Sequence, residues 1–93
     1  MSQVFLTPQP LSASLGLSRE DVAALVRFAE RDARRGRLED AVETLRVAAV
    51  LDPRSVVTWS ALASCYAKLG DTSRAASASR VAAKVKEVLG GVR

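Results

Sequence analysis

The chain has 93 residues and a formal net charge of +4, and hydrophobic residues make up 48 % of it although aromatic residues make up only 4 %. A chain of this length forms one domain with a limited core. It contains no histidine, the commonest general base and metal ligand in proteins. Neither a Gly-rich phosphate loop nor a base beside a serine is apparent. The sequence therefore predicts no catalytic residues, no metal site and no cofactor, so we expect the protein not to be an enzyme.

The cysteine count and the hydropathy pattern bear on location. The single cysteine, Cys65, excludes an internal disulfide and fits a reducing compartment. No apolar run reaches the roughly 18 residues needed to span a membrane. The N-terminus also lacks the basic flank and long apolar core of a secretory signal. We expect no membrane insertion, a cytoplasmic location, and a Cys65 side chain that is small and buried.

Residues 1–17 are predicted to form a separate N-terminal segment. Its apolar side chains are too many for a purely solvated tail; they are Val4, Phe5, Leu6, Leu11, Leu15 and Leu17. Pro8 and Pro10 prevent a continuous helix from the start of the chain. Two alternatives follow: the segment folds back as a cap, or it docks on another chain.

The first helix is predicted to begin after Ser18. Ser18 can accept a hydrogen bond as the N-cap, and Asp21 three residues later can complete a capping box. Leu17 and Val22 stand where a hydrophobic staple would form. Gly36 is expected to end the helix, because glycine takes the left-handed conformation at little cost.

Three further helices are predicted after Gly36. The apolar stripe of the second is Leu38, Ala41, Val42, Leu45, Ala48 and Ala49, and Asp52-Pro53 closes it because proline disfavours helix at the preceding residue. The third runs from about Ser55 to Leu69 and stops at Gly70. The fourth begins after Asp71, a plausible N-cap, and fades at Gly90-Gly91.

One pattern of residue types occurs twice, 34 residues apart. The first copy is Leu25, Phe28, Ala29, Gly36, Ala41, Leu45, Ala48 and Pro53, and the second is Trp59, Leu62, Ala63, Gly70, Ala75, Ser79, Ala82 and Glu87. Most of the eight pairs match or keep a similar type or size. A fixed period of this length indicates stacked helical units. The small residues of the pattern are expected where paired helices cross closely.

This pattern resembles the tetratricopeptide repeat over residues 22–89. The second copy is closer to that family, because the first has Leu25 where the family favours Trp and Asp32 where it favours Tyr. The resemblance implies an all-α fold of two tandem helix–turn–helix hairpins in a right-handed stack. The implied organisation is an N-terminal segment (1–17), a first repeat (18–53), a second repeat (54–89) and a tail (90–93).

The resemblance also implies that the first helix of each hairpin lines a concave surface that binds another protein. The residues of this predicted concave surface are Ala23, Val26, Glu30, Ala33, Arg34, Val57, Ser60, Ser64, Ala67 and Lys68. Such a surface suits an extended peptide or a helix with small apolar anchors. Members that bind chaperone tails place Lys and Asn on the first groove helix, where this chain has Val26 and Glu30, so those tails are not the expected ligand.

A narrower resemblance concerns two strings of residues, 45–53 and 63–71. They look like the small cytoplasmic chaperones of bacterial type III secretion, which hold an export substrate in a soluble state. Those chaperones usually carry three repeats, whereas two are visible here.

Two alternatives stand beside peptide binding. The first is a self-associating scaffold or assembly adaptor that uses the last helix. Its predicted interface is Val85 in the apolar stripe of this helix together with Val81, Val88 and Val92, which widen the stripe on one side. The second is a binder of nucleic acid or of another acidic surface, because residues 53–93 carry seven Lys/Arg against two Asp/Glu. The second is the less favoured, because aromatic residues for base stacking are not interleaved with the basic ones.

Overall fold

The computed structural model describes residues 15–90, and this part of the chain is all-α, with four helices and no strand. The helices are α1 (Arg19–Arg34), α2 (Leu38–Leu51), α3 (Val56–Lys68) and α4 (Thr72–Gly90). The predicted all-α class and the four predicted helices are therefore confirmed. The predicted roles of residues 1–14, and of Val92 in the interface of the last helix, lie outside the described residues.

Side-chain caps start three of the four helices. At α1 the predicted capping box is present: Ser18 Oγ accepts from the Asp21 amide at 3.1 Å, and Asp21 Oδ2 accepts from the Ser18 amide at 2.8 Å. Ser55 Oγ accepts from the Thr58 amide at 3.2 Å before α3, and Asp71 Oδ1 accepts from the Arg74 amide at 3.1 Å in the first turn of α4. Helix α2 starts without a side-chain cap.

The turns that end α1 and α3 have the same hydrogen bonds. Gly36 and Gly70 have φ angles of +82° and +83°, the left-handed conformation that closes a helix. The amides of Arg37 and Asp71, which follow these glycines, each donate at 2.9 Å to a carbonyl five residues earlier. Both turns are thus Schellman motifs, and they lie 34 residues apart, as the repeated pattern predicts.

The helices pack as two hairpins, α1 with α2 and α3 with α4, and α3 also contacts both α2 and α1. The core lies mainly among α1, α2 and α3, because α4 contributes only Ala78 and Ala82 to the buried residues. Three of the repeated alanines, Ala29, Ala41 and Ala48, have no exposed surface at all. Ala63 and Ala75 are half-buried. The close helix crossings predicted for the alanines are therefore tightest in the first hairpin.

Equivalent positions of the two copies differ in exposure. Leu62 is 2 % exposed, whereas Phe28, at the same place in the first copy, is 54 % exposed. Leu62 lies on α3, which has α2 on one side and α4 on the other, while no described helix precedes α1. Leu45 is fully buried on α2, whereas Ser79, its counterpart on α4, is exposed. Burial therefore depends on the number of neighbouring helices as well as on the repeated pattern.

Helix α4 is longer than the helix it packs on. It has 19 residues, whereas α3 has 13. At about 1.5 Å per residue, the last six residues or so of α4 extend roughly 9 Å past the start of α3. Val88 and Leu89 are exposed on this extension. The second hairpin therefore carries exposed apolar side chains near the end of α4.

We expect Ala41→Leu to lower the free energy of unfolding by about 1–3 kcal/mol, because the larger side chain would force α1 and α2 apart. Urea denaturation measures this change. Ala83→Leu is the matched control, since Ala83 is exposed on α4, and we expect it to change the stability by less than about 0.5 kcal/mol. An unchanged midpoint for Ala41→Leu would contradict close packing at this position.

Candidate functional site

The predicted concave surface is only partly accessible. Its α3 members are all exposed: Val57, Ser60, Ser64, Ala67 and Lys68. On α1, Arg34 is exposed and Ala23, Glu30 and Ala33 are half-buried. Val26 is 4 % exposed and belongs to the core, so its side chain is not available to a ligand. The reason is helical geometry, because Val26 lies one turn after the buried Val22 and on the same face.

The remaining members of the predicted concave surface lie on neighbouring helices. Helices α1 and α3 are in contact, and Glu30 of α1 and Lys68 of α3 are both close enough to Cys65 to influence its pKa. Val57 is the only large apolar side chain of the set that is well exposed. This surface therefore offers one apolar anchor among small and polar side chains.

A second surface lies on the other side of α3, where α2 and α4 border a groove of about 340 Å³. We call it the aromatic groove. Its lining residues are Arg46, Ala49 and Val50 from α2, Trp59, Leu62 and Tyr66 from α3, and Arg74, Ser77, Ala78 and Val81 from α4. This volume is at the small end of the range of about 300–1,000 Å³ for ligand pockets.

Trp59, the only tryptophan of the chain, is held in place within the aromatic groove. Its Nε1–H donates to the carbonyl of Pro53 at 2.7 Å, in the turn between α2 and α3. Trp59 and Tyr66 are half-buried, so parts of both rings remain accessible. A tethered aromatic ring can contact a ligand with little loss of side-chain freedom.

The charged side chains in the lining of the aromatic groove are both arginines, Arg46 and Arg74. Arg74 Nη1 lies 2.8 Å from Asp71 Oδ2. The hydrogen bond from Arg74 holds the pKa of the Asp71 carboxyl below its usual value, and the same pair raises the pKa of Arg74. Within residues 15–90, Arg46 has no ion-pair partner. Arg46 is therefore the charged lining residue that has no ion-pair partner in this part of the chain.

A shallower depression of about 580 Å³ adjoins the aromatic groove on α2. It is lined by Glu43, Arg46, Val47, Val50 and Leu51, and thus shares Arg46 and Val50 with the groove. Val47 and Val50 are both more than half exposed. The accessible apolar surface therefore continues from the groove across α2.

The repeated pattern did not predict the aromatic groove. Trp59, Leu62 and Tyr66 were expected as members of that pattern, and no role was predicted for Val47 and Val50. The sequence does contain an indication of this groove. Val47 and Val50 are apolar but fall outside the stripe through Ala41, Leu45 and Ala48 that faces the core. Apolar residues beyond the width of a core stripe indicate a second contact surface.

The predicted interface on the last helix is divided between two environments. Val81 is half-buried and lines the aromatic groove. Val85 is also half-buried, whereas Val88 is exposed on the extension of α4. These three residues therefore do not form one uniform exposed stripe.

The part of the chain that the structure describes also shows where reactive groups lie. Cys65 is buried, as predicted, and burial raises the pKa of its thiol, with a smaller opposing effect from Lys68.

Within residues 15–90, no three His, Cys, Asp or Glu side chains come together in a way that could hold a metal ion. None of the four helices is long and apolar enough to cross a membrane.

Comparisons with known proteins do not identify a relative. No protein-family model, curated protein or solved structure matches the chain.

We expect the Cys65 thiol to react with a disulfide reagent at pH 8 at least about tenfold more slowly in the native protein than in urea. The thiolate is the reacting form, and the raised pKa moves its formation to higher pH. As the pH is raised through the ordinary thiol range, the reaction of Cys65 should therefore become faster in the unfolded chain before it does so in the native protein. Absorbance of the released thiol measures both rates, and Cys65→Ala is the blank. Equal rates in the two states would contradict burial of Cys65.

Proposed function

We propose that this chain is a protein-interaction module of the tetratricopeptide-repeat type, with repeats at residues 18–53 and 54–89. The paired Schellman turns, 34 residues apart, support this assignment, as does the packing of α3 on both helices of the first hairpin. In repeat proteins of this type, the helical surfaces bind segments of other proteins.

The observation that carries the proposal is accessible apolar surface on both sides of α3. Val50 beside the aromatic groove and Val57 on the predicted concave surface are each 61 % exposed. Covering such side chains with a partner removes apolar area from water, which favours association. Arg46 and Lys68 border these two surfaces and would orient a bound segment.

A narrower form of the proposal follows from the resemblance to type III secretion chaperones. In that form the module works in the cytoplasm and holds a segment of an export substrate in a soluble state. The accessible valines favour such a role, because an exported segment that is unfolded presents apolar side chains that need cover.

Site-specific photo-crosslinking in the native host tests the proposal. A photoreactive phenylalanine analogue replaces Val50, Val57 or Ala83 in turn; Ala83 is an exposed control on the side of α4 that faces away from the groove. We expect one defined protein to crosslink at Val50 or Val57 and not at Ala83, and to bind the purified module again in solution. The proposal would be contradicted if the adducts at Val50 and Val57 were neither stronger nor more selective than those at Ala83.

A second candidate function is self-association, favoured by the exposed Val88 and Leu89 on the extension of α4. Light scattering after size exclusion, across a concentration series, measures the mass. A scaffold should form a dimer or larger species that Val88→Asp dissociates and Val57→Asp does not; both valines are 61 % exposed. A mass of 9.9 kDa at every concentration would reject this candidate.

A further inference from the structure

The aromatic groove is a depression with large side chains on α3 and several short side chains on α2 and α4. Leu62, Trp59 and Tyr66 form the floor on α3, whereas Ala49 on α2 and Ser77 and Ala78 on α4 contribute short side chains. Because these side chains are short, parts of the Trp59 and Tyr66 rings stay accessible between α2 and α4. The groove therefore has room for a large apolar side chain of another molecule.

We infer that the aromatic groove binds an acidic segment of a partner protein, with one large apolar side chain in the groove and a carboxylate beside Arg46. This inference rests on the proposed function and deepens it. It assigns the partner's chemistry, and it places the main contact on the side of α3 opposite the predicted concave surface.

The charges around the groove favour an acidic partner. Both charged lining residues are arginines, and the described Lys and Arg of α4 beyond them, Arg80, Lys84 and Lys86, outnumber its one acidic residue, Glu87. Arg46 is exposed and has no ion-pair partner within residues 15–90, so a carboxylate could approach it without displacing an existing ion pair. Arg74, by contrast, is already paired with Asp71, at 2.8 Å.

The lining favours a protein segment over a nucleic acid. Between the two arginines, most of the groove is aliphatic: Ala49, Val50, Leu62, Ala78 and Val81. A sugar–phosphate backbone needs a row of polar or cationic contacts, whereas an apolar side chain is stabilised by this lining. Glu43 on the adjoining depression would repel a phosphate or a carboxylate alike, so an apolar part of the segment is expected beside it.

The path of the segment follows from the adjoining depression. Arg46 and Val50 belong to both hollows, and Val47 extends the apolar surface outward over α2. A segment anchored in the groove would therefore cross α2 and place a second apolar side chain near Val47. Two apolar side chains with carboxylates between or beside them would match this surface.

Selection from a display library of short random peptides tests this inference on the full chain. We expect enriched sequences to contain a large apolar residue flanked by Asp or Glu. Trp59 is the only tryptophan of the chain. Binding of a synthetic, tryptophan-free version of a selected peptide should therefore shift the fluorescence of Trp59. Affinity should fall with added salt, because the arginine contacts are near the surface. A single-stranded oligonucleotide of the same length serves as the nucleic-acid probe.

Matched variants locate the site. Arg46→Glu and Val50→Asp should each weaken binding of the selected peptide at least about tenfold. Arg27→Glu and Val57→Asp are the controls, because Arg27 is exposed on α1 and Val57 is as exposed as Val50. We expect both controls to bind as the wild type does. Urea midpoints confirm that the variants remain folded.

The outcomes separate the inference from the proposed function. Peptides that depend on Val57 and not on Arg46 or Val50 would overturn the inference and leave the protein-interaction proposal standing. Enrichment of basic peptides, or tighter binding of the oligonucleotide than of the peptide, would overturn the inference, because the ligand would then not be an acidic protein segment. Failure to enrich any peptide, together with no selective photo-crosslink at Val50 or Val57, would remove both.

Discussion

Close contact between alanine-bearing helix faces is the constraint on which this structure depends. Ala29 on α1 and Ala41 and Ala48 on α2 have no exposed surface. Because these side chains are small, the helix axes can approach and the larger Leu45 can fill the core between them. A 93-residue chain with 4 % aromatic residues has few large side chains for its core. Close packing of small side chains therefore has to compensate for the missing side-chain volume.

The same use of small residues has another effect on α4. This helix contributes only Ala78 and Ala82 to the buried residues, and it packs on one face of α3 at the edge of the core. With short side chains at Ser77 and Ala78 beside the groove, it leaves parts of the Trp59 and Tyr66 rings accessible. The aromatic groove is therefore a direct result of attaching a small-residue helix to a helix with large side chains.

Local features of the fold could be predicted from the sequence because they depend on a few neighbouring residues. Ser18 with Asp21 specified a capping box, and Gly36 and Gly70 specified the turns. Exposure could not be predicted in the same way. Phe28 and Leu62 occupy one position of the repeated pattern, yet only Leu62 has helices on both sides. The groove combines residues of three helices, so no single stripe indicates it.

Helix α3 connects the two candidate surfaces to the core. Thr58 and Cys65 point into the protein, Trp59 and Tyr66 line the groove, and Val57 lies on the far side with Ser60 and Ser64. The Trp59 bond to the Pro53 carbonyl also ties the groove to the turn between the hairpins. A ligand that fills the groove would contact α2, α3 and α4 together. Such a ligand would bind only when these three helices are assembled, so its binding energy would add to the stability of the second hairpin. This hairpin has fewer buried residues than the first.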